Sequence, residues 1–304
     1  MTIPFIKYSK VLLSFSGLVT VAAFVLIFMW GLKPGIDFTG GSLLEISFSR
    51  NRPPAADVQK VFAEVDLKNV QVQNVGEDSI IIRTEFLSEE KHQEALKRLT
   101  QNFQTKENTV KEISFETIGS AVSKQLRTRA VWAIIFVNLG IILYIAYAFR
   151  KVSRPVASWK YGLLAIIAVV HDVFLVMGIF SVLGHGWGVE VDIAFVVALL
   201  TVLGFSVHDT IVVYDRIREN LLRRRNEDFA EVVNNGLNQT LMRSINTTVT
   251  TLFALIALYL FGGASIHYFA LALLIGFASG AYSSIFIAAP LLVLAEKWQR
   301  RAVV

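Results

Sequence analysis

The hydrophobic residues of this chain gather into long runs separated by polar segments. A helix needs about 20 mostly apolar residues to cross a hydrocarbon core of roughly 30 Å. Runs near 11–31, 130–149, 161–183, 192–214, 245–262 and 267–294 meet that length and predict six transmembrane helices. Lys7 and Lys10 precede the first run, as they would in a signal peptide. Its length and the lack of a small-residue cleavage pattern after it predict a retained anchor.

Between the first two runs the pattern changes. SLLEISF (42–48), NVQVQNV (69–75), SIIIRT (79–84) and VKEISFETI (110–118) have strand character, the second alternating strictly. Pro53 and Pro54 suit a first helical turn, and Val58, Val61, Phe62 and Val65 then share one helix face. Ser88 followed by Glu89, Glu90 and Lys91 opens a second helix with an apolar stripe of Ala95, Leu96, Leu99 and Phe103. The order βαββαβ predicts a ferredoxin-like α+β domain. Residues 119–129 read as a helix returning the chain to the second span. The predicted organisation is a first span within 1–32, an α+β domain over 33–129, and five spans with a polar tail over 130–304.

Composition and charge refine this picture. Hydrophobic residues make up 54% of the 304 positions and charged ones 17%, too apolar for an ordinary soluble domain. Lys and Arg concentrate in the connections after spans two and four and at the C-terminus: Arg150, Lys151, Arg154 and Lys160; Arg216, Arg218, Arg223, Arg224 and Arg225; Lys297, Arg300 and Arg301. The connections GHGWGVE and GGASIH have none. Short basic connections stay in the cytoplasm, so both termini are expected there and the α+β domain on the opposite, extracytoplasmic side. The basic runs are read as topology determinants and lipid headgroup contacts, not as a nucleic-acid surface. The chain has no cysteine, which excludes disulfides and thiolate chemistry, and its five histidines form no zinc pattern. No metal or other cofactor is expected.

Candidate chemistry lies among the spans. In GFSVHDTIVVYDRIREN (204–220), Asp209 interrupts the apolar run before it ends. A carboxylate in hydrocarbon costs about 2.5–3.5 kcal/mol on insertion scales, so it is expected to face protein or a wet cavity. Val202, Ser206, Asp209, Val213 and Arg216 fall on one helical stripe, with Thr201, His208 and Asp215 on the next. Arg243, expected at the entry of the fifth helix, is the candidate partner of Asp209, with Thr247 one turn deeper among Thr248, Thr250 and Thr251. Desolvation penalises a carboxylate's charge and a nearby guanidinium favours it. Such a pair fits either a proton relay, with protons as the coupling ion, or a static ion pair.

Other polar groups read as support. His171 and Asp172 lie midway along the third span, and adjacent helical residues point about 100° apart, which disfavours joint metal chelation. Ser206 and His208 flank the Asp209 site. Ala272, Gly276, Gly280 and Ser284 recur every four residues as a close-packing face for another helix, in this chain or a partner. Gly35, Gly40 and Gly41 in PGIDFTGG are candidates for a hinge, or for a plain turn into the first strand. No intramembrane enzyme constellation is present.

PGIDFTGGSLLEI (34–46), HDV (171–173), GFSVHDTIVVYDRIREN and NQTLMRSINTTVTTL together resemble the SecF family, over essentially the whole chain. The resemblance implies a resistance-nodulation-division type membrane domain in a bacterial inner membrane, or a thylakoid membrane in a cyanobacterium. It implies SecD as heteromeric partner, the SecYEG channel with SecA and YajC as further partners, and exported unfolded polypeptides as the cargo. The family's use of the proton-motive force in late export falls on Asp209, Arg243 and Thr247. His208 departs from the family, which more often has asparagine there. Two alternatives stay open: a scaffold for SecD without its own relay, and half of a proton-driven small-molecule exporter.

Overall fold

The computed structural model describes residues 2–65, 67, 70–150, 156–223 and 227–301. Lys151, Arg154, Arg224 and Arg225, part of the basic pattern above, lie outside them, as does Asn69. The chain divides into two compact units, Met1–Lys33 with Val131–Val304, and Pro34–Ala130.

Helix α1, Ser9–Trp30, belongs to the first unit. The second unit follows in the order α2 (Ile36–Thr39), β1 (Gly41–Phe48), α3 (Ala55–Ala63), β2 (Gln71–Val75), β3 (Ser79–Thr84), α4 (Glu89–Phe103) and β4 (Val110–Ile118). All strand pairs are antiparallel and the order is β2-β3-β1-β4, the ferredoxin-like arrangement expected from the sequence. Alternation in β1 and β3 turns Leu44, Ile46, Phe48, Ile80 and Ile82 to one face, where Val58 and Phe62 of α3 and Ala95 and Leu99 of α4 complete the core. Ser88 caps α4, its hydroxyl accepting from the Lys91 amide at 3.5 Å. Pro54 caps α3, which starts at Ala55, so the prolines precede the helix instead of forming its first turn.

Gly40 and Gly41 have φ of +75° and +118°, a region that favours glycine. A Cβ on Gly41 would also fall 2.6 Å from the Thr84 carbonyl oxygen in the paired strand. Both glycines are held in the turn from α2 into β1, whereas Gly35 is extended at the α2 N-cap.

The remaining helices are α5 (Ser120–Ala148), α6 (Ser158–Trp187), α7 (Ile193–Arg223), α8 (Phe229–Phe261), α9 (Ala264–Ser283) and α10 (Ala289–Arg301), with a π-helical stretch, Ser284–Ala288, joining the last two. Among the described residues, six helical segments are long and apolar enough to span a membrane, making this a multi-pass membrane protein. In their most apolar windows, half or more of the residues of α6, α7 and the α9–α10 segment are buried, against 11% in α1, 6% in α5 and 17% in α8. The middle of the bundle is therefore α6, α7 and α9.

Small residues set the spacing there. The stripe of Ala272, Gly276 and Gly280 packs within the chain against α7, Gly276 on Val202 and Gly280 on Ser206. Gly178 lets α1 approach α6 at Ala23. Helix α8 begins at Phe229, capped by Asp228, well before the expected start near 245. Its first turns are polar in composition but bury Val232, Val233, Gly236 and Leu237, so the helix extends beyond its apolar run. Arg243 accordingly lies inside α8 and not at its entry.

Candidate functional site

The α7 stripe is turned inward: Val202, Ser206, Asp209 and Val213 are buried. Thr201, His208 and Asp215, on the next stripe, are exposed. Asp209 is 4% exposed, and its Oδ2 has no hydrogen-bond partner among the described residues. His208, the Ser244 hydroxyl and Arg243 are the groups that act on its charge.

Helix α8 presents two faces here. Ser244 and Thr248, one turn apart, are buried, and their hydroxyls have no hydrogen-bond partner among the described residues. The Ser244 hydroxyl stands beside Asp209 without a bond of ordinary geometry. Arg243 and Thr247 lie on the exposed side. The Thr247 hydroxyl donates to the Arg243 carbonyl at 2.9 Å, and Thr250 and Thr251 likewise bond to carbonyls of their own helix. The threonine-rich stretch is thus largely satisfied within α8. Arg243 lines a cavity of about 650 Å³ with Tyr144, Asp215, Arg216, Glu219 and Gln239. In that cavity Arg216 pairs with Glu219, and Arg218 pairs with Asp215 at 2.8 Å.

A second carboxylate is more deeply placed. Asp172, at the centre of α6, is 0% exposed. Its Oδ1 accepts from Ser279 at 2.5 Å and lies 3.0 Å from His171 Nδ1. Its Oδ2 accepts from Ser206 and Ser283, both at 2.6 Å. Asp172 thereby ties α6 to α7 and α9. Thr248 belongs to the threonine run seen in the sequence, whereas Ser244, Ser279 and Ser283 were not expected at either carboxylate. The i, i+4 spacing of Ser244 with Thr248 and of Ser279 with Ser283 is the signal that points to them.

The model for the protein export membrane protein SecD/SecF C-terminal region matches residues 98–298, and that for the SecD/SecF GG motif matches 25–51. The chain belongs to the SecF family of protein translocase subunits. The SecF protein of Thermobaculum terrenum is 44% identical, with 97% of this chain and 93% of that protein covered. That of Synechocystis is 40% identical, covering 93% and 91%. The crystal structure of SecDF from Thermus thermophilus, a translocon-associated membrane protein, superposes with a TM-score of 0.81 at 33% identity. It matches 97% of this chain, which spans 38% of the SecDF chain. A super-membrane-facing form of SecDF gives a TM-score of 0.67 at 31% identity, covering 99% of this chain and 39% of that one. In SecF terms the GG motif holds Gly40 and Gly41, and the C-terminal region holds Asp172 and Asp209.

Proposed function

We propose that this SecF subunit, with a SecD partner, couples proton flow across the bacterial cytoplasmic membrane to late steps of polypeptide export. The observation that carries the proposal is Asp209, a carboxylate 4% exposed within a membrane span, with one oxygen unpartnered among the described residues. A buried carboxylate with an unpartnered oxygen can take up a proton. Its charge state then decides how strongly α7 and α8 attract one another through Arg243. Ser244 offers a hydroxyl on the buried side, while Thr247 steadies the backbone turn that carries Arg243. A potential of 100 mV is worth about 2.3 kcal/mol per charge crossing the membrane, enough to shift a two-state helix pair appreciably.

The uncovered apolar faces of α1, α5 and α8 suit a SecD subunit as well as lipid. The length of SecDF, of which this chain matches 38%, fits a complex that needs a second subunit. SecYEG, SecA and YajC complete the proposed assembly, with unfolded exported chains as the cargo and both termini in the cytoplasm. The α+β unit would lie on the extracytoplasmic side. Inverted membrane vesicles carrying the complex test the proposal. Asp209→Asn should abolish the part of export that an uncoupler removes, with SecD co-purification unchanged. Uncoupler-sensitive export persisting in that variant would favour a scaffold role.

A further inference from the structure

We infer that His171 and Asp172 form a second proton-binding site in the bundle interior, with the proton held on the imidazole and the carboxyl ionised. The charge assignment stands without the Asp209 reading; only a role in coupling would rest on it.

Asp172 has potential donors on both of its oxygens. Ser279 and His171 address one carboxyl oxygen, and Ser206 and Ser283 address the other. A carboxylate offers about four acceptor positions, and four potential donors fill them. The three hydroxyl distances, 2.5, 2.6 and 2.6 Å, fall where O–H···O⁻ bonds to an ionised group are found. A protonated carboxyl would instead have to donate to one serine, and that serine would have to find another acceptor. Of the three, only Ser283 has one, its contact with the Gly280 carbonyl at 3.2 Å.

A negative charge buried in the middle of a span needs a compensating positive one, because serine dipoles lower its energy without neutralising it. Among the described residues, the helices packed against α6 offer none. On α5, which meets α6 where Ile142 lies against Gly162, Lys124, Arg127 and Arg129 are exposed. Helix α1 carries only Lys10, which is exposed. On α7, Arg216, Arg218 and Arg223 are engaged by Glu219 and Asp215, and the inward titratable group is another acid, Asp209, beside the exposed His208. Helix α9 turns Tyr282 toward His171, with ring centroids 6.1 Å apart and its hydroxyl 2.9 Å from that of Ser16. Helix α10 contributes Glu296, paired with Arg300, and the exposed Lys297. On α6 itself Lys160 bonds to Gln299, and His185 stacks on Trp30. That leaves His171, which is 4% exposed and 3.0 Å from the carboxylate. A proton on both of its nitrogens makes the pair neutral overall.

Ser206 joins this pair to α7. It donates to Asp172 and stands three residues before Asp209, about 4.5 Å along the helix axis.

The test is ¹⁵N NMR of the full chain in lipid nanodiscs at pH 7, with its five histidines labelled. An imidazolium signal with both nitrogens protonated should be present and should vanish in His171→Gln. It should persist in Asp209→Asn, whatever that variant does to export, so this inference and the relay proposal fail separately. Asp172→Asn should convert His171 to the neutral ring. A neutral His171 in the unaltered protein, or an imidazolium surviving in Asp172→Asn, overturns the inference. If Asp172→Asn folds poorly, thermal melting decides. The loss of melting temperature in the double variant His171→Gln with Asp172→Asn should be smaller than the sum of the two single losses, since either change alone already breaks the pair. Additive losses would show that no charge pair exists.

Discussion

Gly276 of α9 lies directly against Val202 of α7, such that a Cβ on the glycine would fall 2.1 Å from Val202 Cγ2. One turn further on, Gly280 makes the same kind of approach to Ser206, at 3.0 Å from its Cβ. Ser206 at this seam, together with Ser279 and Ser283 of α9, bonds to Asp172 of α6. Packing and the buried polar network are therefore coupled at this seam.

Gly276→Ala should force α7 and α9 apart. Overpacking of this kind typically costs about 1–3 kcal/mol, which a thermal melt of the purified protein would register as a lowered midpoint. Val202→Ala removes the methyl groups in the way and should recover part of the loss when combined with Gly276→Ala. A double variant that melts no higher than Gly276→Ala alone would refute this account of the seam.

In the α+β unit, Gly41→Ala combines a positive φ with a clash against the Thr84 carbonyl oxygen, backbone that cannot yield without opening the β1–β3 pair. Gly31 has φ of +68° but nothing within 4 Å of its would-be Cβ. Gly31→Ala should cost about 1–3 kcal/mol, the strain of placing a side chain at φ +68° and ψ −178°, a region essentially reserved for glycine. Gly41→Ala should cost more than that. Hydrogen exchange of the β1 and β3 amides would show the difference, and equal protection in the two variants would contradict it.

The sequence makes some of this structure readable and hides the rest, for physical reasons. The strands and α4 are visible because strict alternation and a Ser88 cap are local signals, complete within a few residues. Asp209 is visible because it breaks an apolar run. The start of α8 is obscured because NNGLNQT is polar, although Gly236 is buried against Ile217 of α7. The Asp172 network is obscured because its serines lie 34, 107 and 111 residues away, so only folding brings them together. The outward placement of Thr247 follows from where α8 rotates, which spacing from Arg243 does not reveal.

Glu89, at the start of α4, is held below the usual carboxylate range chiefly by the hydrogen bond from Gln93 Nε2 to its Oε1 at 2.8 Å, with a smaller contribution from His92. A carboxyl lowered on folding stabilises the fold above its unfolded pKa. That contribution is lost as pH falls through the folded value. Gln93→Ala should therefore move the Glu89 titration upward toward the ordinary range, as read from its ¹³C carboxyl shift. An unchanged titration would assign the effect elsewhere.

The two faces of α8 give a sharper test of how the Asp209 site is built. Ser244 is 1% exposed, beside Asp209, with its hydroxyl unsatisfied by any described residue. Thr247 is exposed, and its hydroxyl is already spent on the Arg243 carbonyl of its own helix. Losing the Ser244 hydroxyl removes a buried polar group of α8 beside the carboxylate. Losing the Thr247 hydroxyl frees a helix carbonyl that keeps its backbone partner. Ser244→Ala should thus reduce uncoupler-sensitive export in vesicles by more than half, and Thr247→Val should reduce it by less than half, at matched complex abundance. The reverse ranking would mean that the exposed face of α8 meets the proton path in the assembled complex and that the buried serine does not.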